Sequence, residues 1–349
     1  MTIRTARLND NDKLVELARL TPMQGTISIC IQRQPDFFSL LHKKGEPHVL
    51  VAEEDDMIVG CVSIVKVEMV LLNRPTTFHY LCDLKVHPQY RNKKVATQLC
   101  QAMHEYLIEI GGDLLFSTFA DGNQKVIPIM NGKSGIKNAQ TVGKFHILQL
   151  VPQKNAKLNT EYEIVPYSDE EKVLQLHQKF SKRYVLHPSI SAKSFLNCTH
   201  YAALKNNEPV AVISLFDPRN LKQNILIDLP WYFDVAVKLL RVAKPVLSLP
   251  YLPHKGESIS ILYVKAFSYL PGYEDAFLSL LNYAKQIAFT NNYSFLSITF
   301  HETDELRKRL QAFKAFPFKA HGMICSLKNN SKVIDQIKGG NVLEDFSLI

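Results

Sequence analysis

The sequence predicts an α/β (α+β) chain of two tandem domains, each a mixed, mostly antiparallel sheet flanked by helices. Its 349 residues exceed the ~250–300 at which a single core stops growing. Apolar runs of strand length alternate with segments of helical period throughout. The order of elements in residues 161–328 also repeats that of residues 1–150. The hairpin HVLVAEEDDMIVGCVSIV in the first half has its counterpart, in pattern and not in residue identity, in YAALKNNEPVAVISLF.

TIRTA reads as a short strand, and Asn9 or Asp10 is placed to cap the helix of NDNDKLVELARL. DFFSLLHKK is a second helix that stops at Gly45. HVLVAEE and MIVGCVSIVKVEMVLL are strands joined by the turn EDD, and FHYLCDLKV is the next strand, ended by Pro88. From Val95, apolar residues recur at helical spacing through Leu99, Met103, Leu107 and Ile110 until Gly111-Gly112. LLFSTFA is a buried strand, followed by a helix near NQKVIPIMNGKSG and a closing strand pair through KFHILQLV. VPQKNAKLNT, residues 151–160, is polar and irregular and reads as the linker.

The second half runs EYEIVPYS, the helix EEKVLQLHQKFSKRY, the hairpin, ISILYVKAF, the helix EDAFLSLLNYAKQIAF, FLSITF and the helix DELRKRLQAF. Its segment DLPWYFDVAVKLLRVAK, residues 228–244, holds the only tryptophan. A packed helix is its simplest reading, an interface or lid the other. Residues 329–349 form a C-terminal tail.

The net charge of +8 suits anionic ligands. Its basic residues are scattered rather than gathered on one face, which argues against a nucleic-acid partner. The six cysteines form no C-x-x-C pair and mostly lie in apolar runs, so they read as buried thiols in a reducing compartment, with no metal site. The N-terminus lacks a signal-peptide core, and no window reaches ~18 apolar residues, so a cytoplasmic protein without membrane contact is expected.

The most informative stretch is VHPQYRNKKVATQLC, residues 86–100, a strand end turning into a helix. Here Val86-His87-Pro88 is followed by Arg91-Asn92-Lys93-Lys94-Val95-Ala96, which is similar to the Q/R-x-x-G-x-G/A signature of the GNAT superfamily of acyl-CoA-dependent N-acyltransferases. Arg91 and Ala96 match it, and Lys94 replaces the central glycine. Gly132–Ile136 resembles the family's closing segment. The resemblance covers residues 2–150, and the repeated pattern extends it to a degenerate second copy.

The resemblance implies that acetyl-CoA or coenzyme A is the cofactor. Its pyrophosphate would lie on the backbone of Arg91, Asn92, Lys93, Lys94, Val95, Ala96 and Thr97, since first-turn amides of a helix are unpaired and the helix dipole favours an anion. Lys94 fits if its dihedrals are helical and its side chain points outward. Main-chain groups of Leu84, Lys85 and Val86 would pair with the pantetheine arm, and Asn123 would face the cofactor. In the second half Glu274 and Asp275 open the corresponding helix, where they would repel a pyrophosphate.

Transfer to an amine requires removal of one proton. Asp83 and Glu68 are the carboxylates on strands nearest the expected cleft, with His79 and His87 as further candidates. Asp83 alternatively pairs with Lys85 and stabilises its strand. The family's tyrosine acid would fall at Asn131, which cannot serve as one. TPMQGTISICIQRQPDFF lies where the family contacts acceptors, with Met23, Ile29, Phe37 and Phe38 as an apolar wall. The implied reaction moves an acetyl or short acyl group to a primary amine of a small molecule or peptide. A non-catalytic, coenzyme-sensing module and a tandem aminoacyl-transfer protein are the alternatives, and the oligomeric state stays open.

Overall fold

A computed structural model describes the chain except residues 24–26, 34–35, 124–131, 133–135, 137 and 244–246. The expected helix near NQKVIPIMNGKSG and the candidate Asn131 therefore lie largely outside the described residues.

The first half runs β1 (Thr2–Thr5), α1 (Asn11–Leu20), β2 (Ser28–Gln32), α2 (Ser39–Lys44), β3 (Glu46–Glu54), β4 (Met57–Leu71), β5 (Arg74–Val86), α3 (Val95–Glu109), β6 (Leu114–Ala120) and β7 (Gln140–Leu150). The second half runs β8 (Glu163–Pro166), α4 (Glu170–Ser181), β9 (Leu186–Pro188), β10 (Cys198–Lys205), β11 (Glu208–Phe216), β12 (Gln223–Asp228), α5 (Trp231–Ala243), β13 (Ile261–Tyr269), α6 (Glu274–Thr290), β14 (Phe295–His301), α7 (Leu306–Arg309), β15 (Ala315–Ser326) and α8 (Ser331–Ile337).

The strands join one large sheet in the order β1-β3-β4-β5-β6-β15-β7-β14-β13-β11-β10-β8, with β9 added to β4. Every pairing in it is antiparallel except β5 with β6 and β13 with β14. This is the mixed, mostly antiparallel α/β fold the sequence predicts. Helices cover both faces, so β4 is buried without alternation from Ile58 to Val65. On one face Leu99, Met103 and Leu107 of α3 pack on Val62, Ile64 and Leu115. In the second half Phe277, Leu280 and Leu281 of α6 pack on Ile213, Phe267 and Phe300.

The two halves exchange their last strands. β15 lies between β6 and β7, pairing Ile324 with Phe116 and Phe318 with Ile147. β7 in turn pairs Leu148 with Ile298 of β14. The expected closing pair of the first half is therefore a single strand whose partners both come from the second half. A second crossing is β2, which sits in the stretch expected only as an apolar wall and forms a ribbon with β12, Gln32 opposite Gln223.

Three local expectations change. Asp10 makes no capping bond to α1. Its carboxylate instead takes Arg4 at 2.7 Å and the Arg7 N–H at 2.7 Å. The helix expected over DELRKRLQAF keeps one α-helical turn, α7. α5 forms, but none of its residues is buried, and Trp231 is 77% exposed, against the simple reading of a packed helix. Residues 151–160 lie along α6, where the Asn159 N–H donates to Ser279 Oγ at 2.9 Å. No described helix is long and apolar enough to cross a membrane.

Candidate functional site

β5 and β6 share only two parallel pairs, His79 with Leu115 and Tyr80 with Phe116. A last tie follows, Ser117 Oγ donating to the Leu81 carbonyl at 2.9 Å. Beyond it β5 pairs with β4 and β6 with β15, so the two strands part and leave a gap in the sheet. On the β5 side of the gap the register slips. Lys85 faces Cys61 and Cys82 faces Ser63, so Asp83 and Leu84 together oppose Val62. This β-bulge holds Asp83 at φ 53°, a left-handed conformation unusual for a residue with a side chain. Leu84, Lys85 and Val86 follow it along the edge of the gap.

The chain then turns through Pro88–Tyr90 into α3. Two residues of the turn, Asn92 at φ 67° and Lys94 at φ 61°, are left-handed. This corrects the expectation for Lys94. The position keeps the backbone shape that favours glycine, although lysine occupies it. Alternating backbone signs gather N–H groups into a concavity suited to anions. The first helical bond of α3 is donated by Gln98 to the Lys94 carbonyl, so Val95, Ala96 and Thr97 have no acceptor within the helix. Arg91, Asn92, Lys93 and Lys94 are exposed, and Lys93 Nζ lies 4.2 Å from the Tyr90 ring centre. Gly60 seats the helix start: a Cβ there would lie 2.8 Å from Val95 Cγ1 and 3.1 Å from the Lys85 carbonyl.

Asp83 is buried, with Arg33 Nη1 2.7 Å from its carboxylate and Lys85 Nζ at 4.0 Å. Burial works to raise its pKa, but Arg33 and Lys85 outweigh it, and the carboxyl ends below its ordinary value. The expected structural partner Lys85 is thus secondary to Arg33. Glu68 is exposed and accepts from Thr77 Oγ1 at 2.6 Å. It lies six residues along β4 from Val62, about 20 Å at ~3.3 Å per residue. The two carboxylates are not brought together. His79 is buried and its pKa is lowered by that burial, while His87 Nδ1 accepts the Gln89 N–H at 3.3 Å. Asn123 is exposed just past β6. Phe37 and Phe38 are core residues, whereas Met23 is exposed.

The second half repeats the parting of strands. β13 and β14 pair from Ile261 with Phe295 to Tyr263 with Ser297, and then separate. The bulge on β13 falls at Lys265. Here side chains from several elements line the gap. Asp345 pairs with Lys265, Arg183 bonds Asp304 at 3.1 Å, and Phe180, Tyr184 and Phe267 crowd the space. A cavity of ≈ 30 Å³ remains, about the volume of one water. At the start of α6, Asp275 accepts from the Tyr162 hydroxyl at 2.9 Å, which places its negative charge where an anion would sit. The β2/β12 ribbon forms a separate two-stranded sheet. Buried Lys222 precedes β12; burial first and neighbouring Arg33 next lower its pKa to about 7.

Sequence reasoning missed Arg33 and Gly60. Arg33 sits in IQRQP with nothing in its spacing to reveal a partner fifty residues on. Asn92 carried a readable signal, because asparagine is enriched in left-handed positions.

Residues 13–131 match the model of the acetyltransferase (GNAT) family. They form a GNAT domain. The whole chain also superposes on solved N-acyltransferases. N-myristoyltransferase of Saccharomyces cerevisiae, with bound myristoyl-CoA, matches at TM-score 0.63 and 11% identity over 93% of this chain and 78% of that one. A GCN5-related N-acetyltransferase from Anabaena variabilis matches at TM-score 0.55 and 11% identity over 93% and 72%. No curated protein sequence matches the chain. At such identities the likeness speaks for the fold. The GNAT domain contains the gap, the bulge and the turn into α3.

Proposed function

We propose that the chain is an acyltransferase that moves an acetyl or short acyl group from acyl-CoA to a primary amine of a small molecule or peptide. The observation that carries this reading is the parting of β5 from β6, bordered by the bulge and ending at the left-handed turn into α3. The pantetheine arm adds to the free edge of β5 at Leu84, Lys85 and Val86, as an extended strand would. The pyrophosphate meets the amides of Asn92 and of Lys94 to Thr97, the Lys93 N–H being donated to the Tyr90 carbonyl, with the Arg91, Lys93 and Lys94 side chains adding charge. Main-chain donors beside the bulge polarise the thioester carbonyl, the amine attacks, and the thiolate leaves and takes up a proton. Asn123, exposed past β6, faces the cofactor from the far side.

The inner end of the gap supports a short acyl group. Tyr80 bonds Thr118 at 2.7 Å there, Lys44 Nζ lies 3.9 Å from the Tyr80 ring centre, and the Arg33–Asp83 pair stands alongside. A long alkyl chain would have to lie against these charged and polar groups. In this reading the amine is not deprotonated by Asp83, whose basicity Arg33 lowers, nor by distant Glu68. Glu274 and Asp275 in the first turn of α6 oppose a pyrophosphate, so the second half is a support that takes no coenzyme. Six cysteines, most of them buried, fit a cytoplasmic setting, where thiols stay reduced.

The test is the thermal midpoint with coenzyme A, acetyl-CoA and myristoyl-CoA. At ~100 times its Kd a ligand adds roughly 2.7 kcal/mol. Stabilisation by all three with thiol release from acetyl-CoA alone is the expected pattern. No shift with millimolar coenzyme A would sink the donor site, and preferential turnover of myristoyl-CoA would sink the short-acyl reading.

A further inference from the structure

We propose that Arg33 is a positioning residue, whose ion pair with Asp83 holds the β5 bulge in the shape that presents main-chain donors to the thioester carbonyl. This rests on the donor-site reading above and adds to it a residue outside the GNAT signature. Arg33 directly follows β2, whose ladder partner is β12, so the residue belongs to the ribbon that joins the two halves. It reaches the gap with its guanidinium 2.7 Å from the Asp83 carboxylate, both side chains buried. Its carbon stack on Phe37, 4.9 Å from the ring centre, and its bond to the Phe37 carbonyl at 3.4 Å fix its direction.

Two costs mark the pair as more than strand stabilisation. A buried ion pair gains little over apolar packing, because both ions lose hydration. Asp83 in addition holds φ 53°, and a non-glycine left-handed backbone is strained and persists where surrounding contacts enforce it. Cys61 Sγ donates to the Asp83 carbonyl at 3.3 Å, and Arg33 holds the side chain. Leu84 to Val86 come next in the chain, so any relaxation of the bulge re-aims the very N–H groups on which the thioester depends. The groups around Asp83 are Cys82 and Lys85 on β5, Cys61 on β4 and Arg33, with Lys222 facing Arg33 from the start of β12. Among them Lys85, at 4.0 Å, is the only other cation close to the carboxylate.

The experiment uses the full chain and acetyl-CoA labelled with 13C at the thioester carbonyl. Affinity is read by calorimetry and carbonyl polarisation by the infrared band of the bound label, each from pH 5 to 8. In the unaltered protein the band is expected below its position in free acetyl-CoA and constant with pH. Arg33→Met should keep affinity within about fivefold, since the pyrophosphate contacts are untouched. Its band should return toward the free position and become pH-dependent, because the buried Asp83 carboxyl, without its main cation, titrates at higher pH. Arg33→Met/Asp83→Asn should remove that pH dependence. An unshifted band in folded Arg33→Met, or one that moves equally at every pH and in the double variant, overturns the proposal. If Arg33→Met does not fold, Arg33→Lys carries the test: an intermediate band supports the pair and an unaltered band sinks it. Absence of acetyl-CoA binding in the unaltered protein is a different failure, that of the donor site itself.

Discussion

At the scale of single residues, two side chains are held against their preferences. Lys94 adopts φ 61° and ψ 11° at the start of α3, a conformation that glycine enters freely and lysine does not. Lys94→Gly is expected to raise stability by up to about 1 kcal/mol in urea unfolding, because relief of strain outweighs the added freedom of the unfolded chain. If backbone amides rather than the lysine charge bind the pyrophosphate, the thermal shift with coenzyme A survives in Lys94→Gly and falls in Lys94→Glu. His177 is the second case. Its Nε2 lies 2.8 Å from Ser214 Oγ, which also lies 2.8 Å from His200 Nδ1. Burial first, and His200 next, push the His177 pKa down to about 3. The folded value is below the unfolded ~6.5, so the unfolded chain binds a proton that the native one refuses. The stability His177 brings is therefore full above pH 6.5 and declines as pH falls toward 3. His177→Asn should reduce the slope of unfolding free energy between pH 6 and 4 by up to about 1.4 kcal/mol per pH unit. An unchanged slope would place the proton uptake elsewhere.

At the scale of elements, the two helices that follow the parted strands differ in what their first turns can meet. α3 is seated by Gly60, where an added methyl would press on Val95 and the Lys85 carbonyl. Gly60→Ala should cost about 1–3 kcal/mol in stability, as overpacking does, and weaken coenzyme A binding more than Lys94→Gly does. α6 begins with Glu274 and Asp275, the latter already engaged by Tyr162. Glu274→Ala should leave the coenzyme A shift as it is, whereas a larger shift would mean that the second half holds the cofactor. α3 was legible in the sequence because Val95, Leu99, Met103 and Leu107 make one continuous buried stripe. The β5 bulge was not legible, since a register slip of one residue leaves no mark in composition. β2 was missed for a related reason: its five residues pair with β12, nearly two hundred residues away, and the pairing, not local pattern, makes it a strand.

At the scale of the whole molecule, the exchange of β7 and β15 makes the halves interdependent. Residues 1–150 alone would leave β6 without β15 and β7 without both partners, three edges with unpaired backbone. Expressed separately, that fragment is expected to aggregate or stay unfolded by circular dichroism, while the intact chain unfolds in one calorimetric transition. Two separate transitions in the intact chain would show that the exchange does not couple the halves. The β2/β12 ribbon is a further link between the halves, and Arg33, which follows β2, reaches Asp83 on β5.

The sequence by itself determined the alternation of elements, their repetition, the strand–turn–helix unit at residues 86–100 and the acidic opening of α6. These are local quantities, set by apolar period, turn residues and charge within one or two turns of chain. Only the tertiary structure decided where β5 and β6 part, that Lys94 is left-handed, and that Asp83 answers to Arg33. Each of those depends on which distant segments arrive at the same place, and burial converts such arrivals into backbone shape and protonation state.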